Sequence, residues 1–218
     1  VMELFGGMRE ACEECALWLV GGDLSRGREA SIAVTVTGEV APGRAVLRSG
    51  ARPGDHVVVT GELGGSAAGF RLTGLRTMPT EAQRALIRRH TRPTARVGEG
   101  EVLAGQGATA MMDISDGLAL DLTRLCRASG VAATIAIADV PVADLATLEE
   151  ALGGGEDYEL LATMPNEAAI EAARAELKGT FGVPLSVIGT ILEGAGVTAV
   201  DADDTERPLE PIGWDHFR

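Results

Sequence analysis

The run Met111-Met112-Asp113-Ile114-Ser115-Asp116-Gly117-Leu118 constrains this chain more than any other stretch. Residues 108–112 are apolar and read as a strand. Two aspartates three positions apart follow, then a glycine, then a helical pattern with Leu118, Leu122 and Leu125 on one face. A strand that ends in carboxylates just before a helix places negative charge beside unsatisfied backbone N–H groups, a place suited to anions. Bare carboxylates there repel phosphate unless a divalent cation lies between them, which is the arrangement a nucleotide-using enzyme needs. The plainer alternative makes Asp116 a helix N-cap and Asp113 a solvated loop residue.

Composition narrows the classes open to such a motif. Hydrophobic residues make up 45% of the 218 and aromatic residues only 3%, so the core is aliphatic and few rings remain for stacking on bases. The net charge of −13 excludes non-specific binding to nucleic acid or to an anionic membrane. No apolar run approaches the roughly 18 residues of a membrane span. Three cysteines without a signal peptide point to a reducing cytoplasm. Cys12 and Cys15 have CxxC spacing but lie in a helical pattern, and ordinary helix packing accounts for them better than zinc.

Periodicity supplies the remaining elements. Residues 1–17 open inside an amphipathic helix, and residues 17–20 and 31–36 read as strands. Gly38 to Gly43 marks a boundary, so residues 1–40 and 41–218 are expected to be separate domains. Beyond it, strands are expected at 56–60, 131–137, 158–164, 185–192 and 197–200. Helices are expected at 66–72, 81–89, 118–129, 142–152 and 166–178, the last capped by Asn166 and Gly179.

Other residues invite a ligand less decisively. Asp23 follows Gly21-Gly22 after the 17–20 segment, either at a ligand site or in a plain turn. Arg48 and Arg52 flank a tight turn; a guanidinium fork suits phosphate, yet most surface arginines are solvated. Glu156 and Asp157 follow three glycines and either hold a cation or an amino-bearing substrate, or end a helix as solvated acids. The arginines between Arg84 and Arg96 cluster at a helix end, where cations complement the dipole. Trp214 is a packing lid or a wall for an aromatic ligand.

Taken in order, GGDLSRG, RSGARPGDHVVVTGELGGSAAGF, HTRP, MMDISDGLALDL, GGGEDYELL and GWDHF closely resemble the thiamine-monophosphate kinase family of the AIR-synthase-like ATP-using superfamily. The resemblance covers residues 21–217 and is most specific in MMDISDG and GGGEDYELL. It implies an α+β chain whose C-terminal α/β domain has a mixed sheet, with residues 1–40 as the remnant of an N-terminal ATP-binding domain. It also implies transfer of the γ-phosphate of ATP to thiamine monophosphate with Mg²⁺, in a cytoplasmic homodimer. Asp23, Asp113 and Asp116 would be metal ligands; Gly22, Asp23, Arg48 and Ser115 would contact ATP; Glu156 and Trp214 would line the thiamine pocket. The family's GDDAA-type N-terminal motif is not in this sequence, so the chain alone is expected to be incomplete for catalysis and prone to self-associate. Sister superfamily enzymes and a non-catalytic nucleotide-binding module are the alternatives. The GGGEDYELL and GWDHF segments speak against the former, and the joint presence of Asp23, Asp113, Asp116 and Glu156 against the latter.

Overall fold

The computed structural model describes residues 1–74 and 76–214, so Asp215, His216 and Phe217 of the GWDHF segment lie outside the described residues. Backbone contacts divide the chain into two units, Val1–Arg44 and Ala45–Arg218.

In the first unit, helix α1 spans Met2–Glu14 and buries no residue fully. Phe5, Met8, Cys12 and Cys15 share its half-buried side, as the amphipathic pattern predicts. The strands expected at 17–20 and 31–36 do not form; Val20 is 94% exposed and Val34 72%. Alternating side chains give a segment the right pattern, but a strand exists only where a neighbouring backbone answers its N–H and C=O groups. Among the described residues no strand pairs with either segment.

The second unit is built on a seven-stranded mixed sheet of order β2-β4-β1-β5-β3-β6-β7. Its strands are β1 (His56–Thr60), β2 (Ala110–Asp113), β3 (Ala132–Ala136), β4 (Leu160–Met164), β5 (Leu185–Leu192), β6 (Gly196–Val200) and β7 (Glu206–Pro208). All pairings are antiparallel except β3 with β6. The unbroken Val57-Val58-Val59 run marks β1 as central, because helices cover both its faces. Val57 and Val59 join Leu118, Leu122, Leu125 and Ile188 in one core. Val58 points the other way, into Leu103, Ala162, Ile170 and Leu177. Helices α5 (Leu118–Ser129) and α6 (Leu148–Gly153) therefore lie over one face, and α4 (Val97–Gly105) and α7 (Glu167–Phe181) over the other. A smaller core of Ala68, Leu72 and Leu86 joins α2 (Gly65–Thr73) to α3 (Glu81–Thr91).

Several elements depart from the periodicity. Helix α6 begins only at Leu148, where Thr147 and Glu150 form a capping box; upstream, Val142 bridges to Leu63 and is held in extended form. Helix α7 runs past Gly179 to Phe181 and closes on Gly182, whose φ of 69° supplies the left-handed turn. Asn166 caps its start as expected, accepting from the N–H of Ala169 at 3.0 Å. Helix α4 is unexpected because glycine recurs in it, but Gly98 is a point of close approach: a Cβ there would sit 2.6 Å from the Phe181 ring.

A buried ion network ties α4 to the sheet. Glu159, 3% exposed, accepts from the Thr60 hydroxyl at 2.7 Å and from Arg96 at 2.9 and 2.6 Å. Arg96 also bonds Glu99 at 2.9 Å. Arg89 is a second, more distant cation at 3.9 Å from the same carboxylate. Arg96→Ala therefore leaves Glu159 with only its weaker ion pair and should cost about 3 kcal/mol in urea unfolding; a midpoint equal to wild type would show that Arg89 alone suffices for Glu159.

The thiols give a second test. Cys126 is 1% exposed and burial pushes its thiol up to about 11, whereas Cys12 and Cys15 are half-buried. Two thiols should react with a disulfide reagent in the native protein and the third only on unfolding. Three fast equivalents would place Cys126 at the surface.

Candidate functional site

The loop that joins β2 to α5 is organised by a residue the motif reading passed over. Asp121, in the first turn of α5, is wholly buried. Its Oδ2 accepts from the backbone N–H of Ser115 at 3.1 Å and of Asp116 at 2.9 Å. Its Oδ1 accepts from Arg124 at 2.8 Å. Burial pushes this carboxyl up, and the N–H and guanidinium donors hold it down. The N-cap of α5 is Gly117, with φ of 118°, so Asp116 is not the cap. Instead Asp116 pairs with the Arg124 guanidinium, and Asp113 is exposed at the end of β2.

A second loop, 153–159, lies against the first. The N–H of Glu156 donates to the Ser115 carbonyl at 2.8 Å, and that of Tyr158 to the Ile114 carbonyl at 2.9 Å. The glycines make the approach possible: a Cβ on Gly155 would stand 2.7 Å from the Ser115 carbonyl, and one on Gly117 would stand 2.9 Å from Gly153. Two non-glycine residues adopt left-handed backbone here, Glu156 at φ 60° and Tyr158 at φ 52°. Each costs about 1 kcal/mol or more, a strain that persists only where the surroundings over-determine it and that clusters at functional sites.

The neighbouring acids of this loop have separate tasks. Asp157 turns inward and accepts from the N–H groups of Gly64 at 2.7 Å and Ser66 at 3.0 Å, capping the start of α2; burial pushes its carboxyl up. Glu156 is exposed and accepts from the Tyr158 hydroxyl at 3.3 Å. Burial, and then the charges of Glu156, Asp113 and Asp116, push that hydroxyl above the ordinary tyrosine range, so it remains an O–H at neutral pH.

Between these loops and α2 lies a cavity of about 290 Å³ whose lining includes Ser115, Glu156 and Trp214, three of the residues singled out from sequence. Its other wall is Ser66, Phe70 and His90, which the sequence reading did not assign. His90 lies in the last turn of α3; its Nδ1 is 3.0 Å from the Ser66 hydroxyl, and its ring sits 5.2 Å from that of Phe70, tilted by 55°. Phe70 is 64% exposed and Trp214 65%, in a chain with few aromatics, and that exposure of scarce rings was the signal available. The tail reaches the site because the Trp214 N–H donates to the Asp116 carbonyl at 3.0 Å. Gly213 leaves room for it, since a Cβ there would lie 2.4 Å from the same oxygen.

The remaining sequence candidates lie elsewhere. Arg48 is exposed beside the C-terminal end of α5, where the neighbouring Gly50 and Ala51 N–H groups donate to the Ser129 hydroxyl at 3.2 Å. The twelve residues of α5, about 18 Å of helix, separate that end from Asp116. Gly22 and Asp23 belong to the first unit, where Asp23 is exposed and accepts from the Ser25 hydroxyl at 3.3 Å. A larger concavity of about 880 Å³ between α1 and residues 16–19 is lined by Phe5, Leu17 and Trp18, with Arg9 and Glu13 among its polar groups, and holds none of the residues singled out from sequence as site candidates.

Asp113 and Asp116 offer hard carboxylate oxygens, a donor set that fits Mg²⁺ and not a soft metal. Among the described residues no three His, Cys, Asp or Glu side chains form a closed metal cluster.

Residues 52–202 match the family described as AIR synthase related protein, C-terminal domain. The chain is 38% identical to the thiamine-monophosphate kinase of Escherichia coli K12, over 91% of this chain and 63% of that protein's length. It is 36% identical to the thiamine-monophosphate kinase of Bacillus subtilis 168, covering all of this chain and 70% of that one. Among solved structures, AaThiL complexed with AMPPCP and TMP is 37% identical, with a TM-score of 0.65 over 79% of this chain and 54% of that chain. The chain thus spans a little under two thirds of its Escherichia coli relative. A family match over most of the chain and relatives above 30% identity agree, and the chain belongs to the thiamine-monophosphate kinases of the AIR-synthase-related family.

Proposed function

We propose that the protein transfers the γ-phosphate of ATP to thiamine monophosphate, releasing thiamine diphosphate and ADP. The observation that carries this reading is the convergence of Ser115, Glu156 and Trp214 on one cavity beside Asp113 and Asp116. The relative complexed with AMPPCP and TMP supports it, because AMPPCP is a non-hydrolysable stand-in for ATP.

Phosphoryl transfer asks a protein for position and charge neutralisation more than for a covalent nucleophile. Glu156 accepts hydrogen bonds from the amino group of an aminopyrimidine and attracts the positive thiazolium ring. Trp214 and Phe70 present exposed ring faces on which a flat cationic heterocycle stacks. Ser115 faces the same cavity from a loop whose backbone Asp121 holds, and meets the phosphate end. Asp113 and Asp116 would hold Mg²⁺, which supplies neutralisation of the phosphate charge. Arg124 already pairs with Asp116, so a metal ion would share that carboxylate with the guanidinium. Gly22, Asp23 and Arg48 are assigned to ATP on family resemblance, with Asp23 also a metal ligand.

ADP release and thiamine diphosphate formation, measured with ATP and Mg²⁺, should both depend on thiamine monophosphate. ATP turnover indifferent to that acceptor would end the proposal. Asp113→Asn should lower turnover at least ~100-fold, about 2.7 kcal/mol of transition-state stabilisation, while sparing the fold. Near-wild-type turnover at saturating Mg²⁺ would reduce Asp113 to a solvated loop residue.

Glu156→Gln should raise the KM for thiamine monophosphate about tenfold, the scale of a hydrogen bond to a charged group. Trp214→Ala should raise it about tenfold through a lost stacking contact. Both should leave the KM for ATP nearly unchanged. Equal effects on both Michaelis constants would remove these residues from the acceptor side.

A further inference from the structure

We infer that Tyr158 is a positioning residue: its hydroxyl holds the Glu156 carboxylate in the orientation that receives the acceptor. The inference rests on the reading of the cavity given above and extends it to a residue that does not line the cavity.

The geometry starts with the backbone. Gly155, Glu156 and Tyr158 all have positive φ, at 64°, 60° and 52°. Glycine takes this conformation readily, but a glutamate and a tyrosine do not. Left-handed backbone at both residues, locked by the Ser115 and Ile114 carbonyls, brings side chains two positions apart to the same side of the loop. Glu156 is exposed and would sample several rotamers if nothing held it. The Tyr158 O–H donates to Glu156 Oε2 at 3.3 Å from a half-buried ring on locked backbone. An ionised carboxylate only accepts, so the phenol must be the donor. One carboxylate oxygen is thereby committed to Tyr158, and the residue as a whole lines the cavity, with Oε1 left for the acceptor. A long acidic side chain on a surface loop becomes a directed acceptor, as a supporting shell is expected to achieve.

Tyr158 is the only tyrosine in the chain, so its hydrogen bond can be read directly. The ultraviolet resonance Raman doublet of tyrosine reports whether the hydroxyl donates. Wild-type protein should show a donor signature, and Glu156→Ala should abolish it with no substrate present. In steady-state kinetics, Tyr158→Phe should raise the KM for thiamine monophosphate roughly five- to tenfold, the scale of one lost hydrogen bond to a charged group. It should leave kcat within about twofold and the KM for ATP unchanged. Adding Tyr158→Phe to Glu156→Gln should cause little further loss, because residues that act through one another are not additive. A purely structural tyrosine would lower kcat and raise both Michaelis constants together. A doublet indifferent to Glu156→Ala, or fully additive losses in the double variant, would overturn the inference. Loss of the donor signature in a protein that does not phosphorylate thiamine monophosphate would remove the substrate reading and leave the Tyr158–Glu156 pairing standing.

Discussion

The Asp121 carboxylate is the constraint from which the site is built. It lies in the interior, where an unpaired charge would be costly, and it is satisfied by two backbone N–H groups of the preceding loop and by Arg124. Those bonds fix the path of residues 114–117 between the edge strand β2 and the first turn of α5. Everything at the site is then referred to that path. The carbonyls of Ile114 and Ser115 hold the 153–159 loop, and the carbonyl of Asp116 holds Trp214. One buried carboxylate thus positions, at one remove, the side chains of Ser115, Glu156 and Trp214. Arg124 completes the arrangement by bridging Asp121 and Asp116, so the buried charge and the loop's outward aspartate share one counter-ion.

Close backbone approach is the second requirement, and it explains why glycine is dense around the site. Loops 114–117 and 153–158 touch along their main chains, and β-carbons at Gly117 or Gly155 would collide with the opposite strand of the contact. Side chains excluded from the interface point outward into the cavity. The strain held at Glu156 and Tyr158 is tolerated because the adjoining backbone is locked on both sides.

These physical features decide which parts were legible in the sequence. The Val57–Val59 run and the leucine stripe of α5 depend on local pattern and came through directly. Ser115, Glu156 and Trp214 stood out through short motifs and proved to share a cavity. The elements that did not come through depend on partners far along the chain. Helix α4 looks like a glycine-rich loop until Phe181 is seen beside Gly98. Strand β7 is a polar Glu-Arg-Pro segment recruited by the edge of β6. Residues 31–36 have the alternation of a strand and no partner to make one among the described residues. In the same way, Asp121 reads as an ordinary charged position on a helix, and nothing local reveals that its oxygens turn back to the loop. His90 and Phe70 join the cavity only because α2 and α3 pack together.

The segment Glu156-Asp157-Tyr158-Glu159 shows how much chemistry a fold can separate within four residues. In sequence it is one acidic patch. In the structure Asp157 caps α2, Glu159 is sealed against Arg96 beneath the sheet, and Glu156 alone is turned outward with Tyr158 beside it. Had all three acids faced the cavity, their mutual repulsion would have raised their pKa values and weakened each as an acceptor. Committing two of them to buried cations and N–H groups leaves a single carboxylate at the acceptor side. Asp113 closes β2 and Asp116 follows in the loop beyond it, near enough that both charges act with Glu156 on the Tyr158 hydroxyl. Arg124 offsets part of that crowded negative charge by pairing with Asp116, and phosphoryl transfer asks the site for positioning and neutralisation of charge.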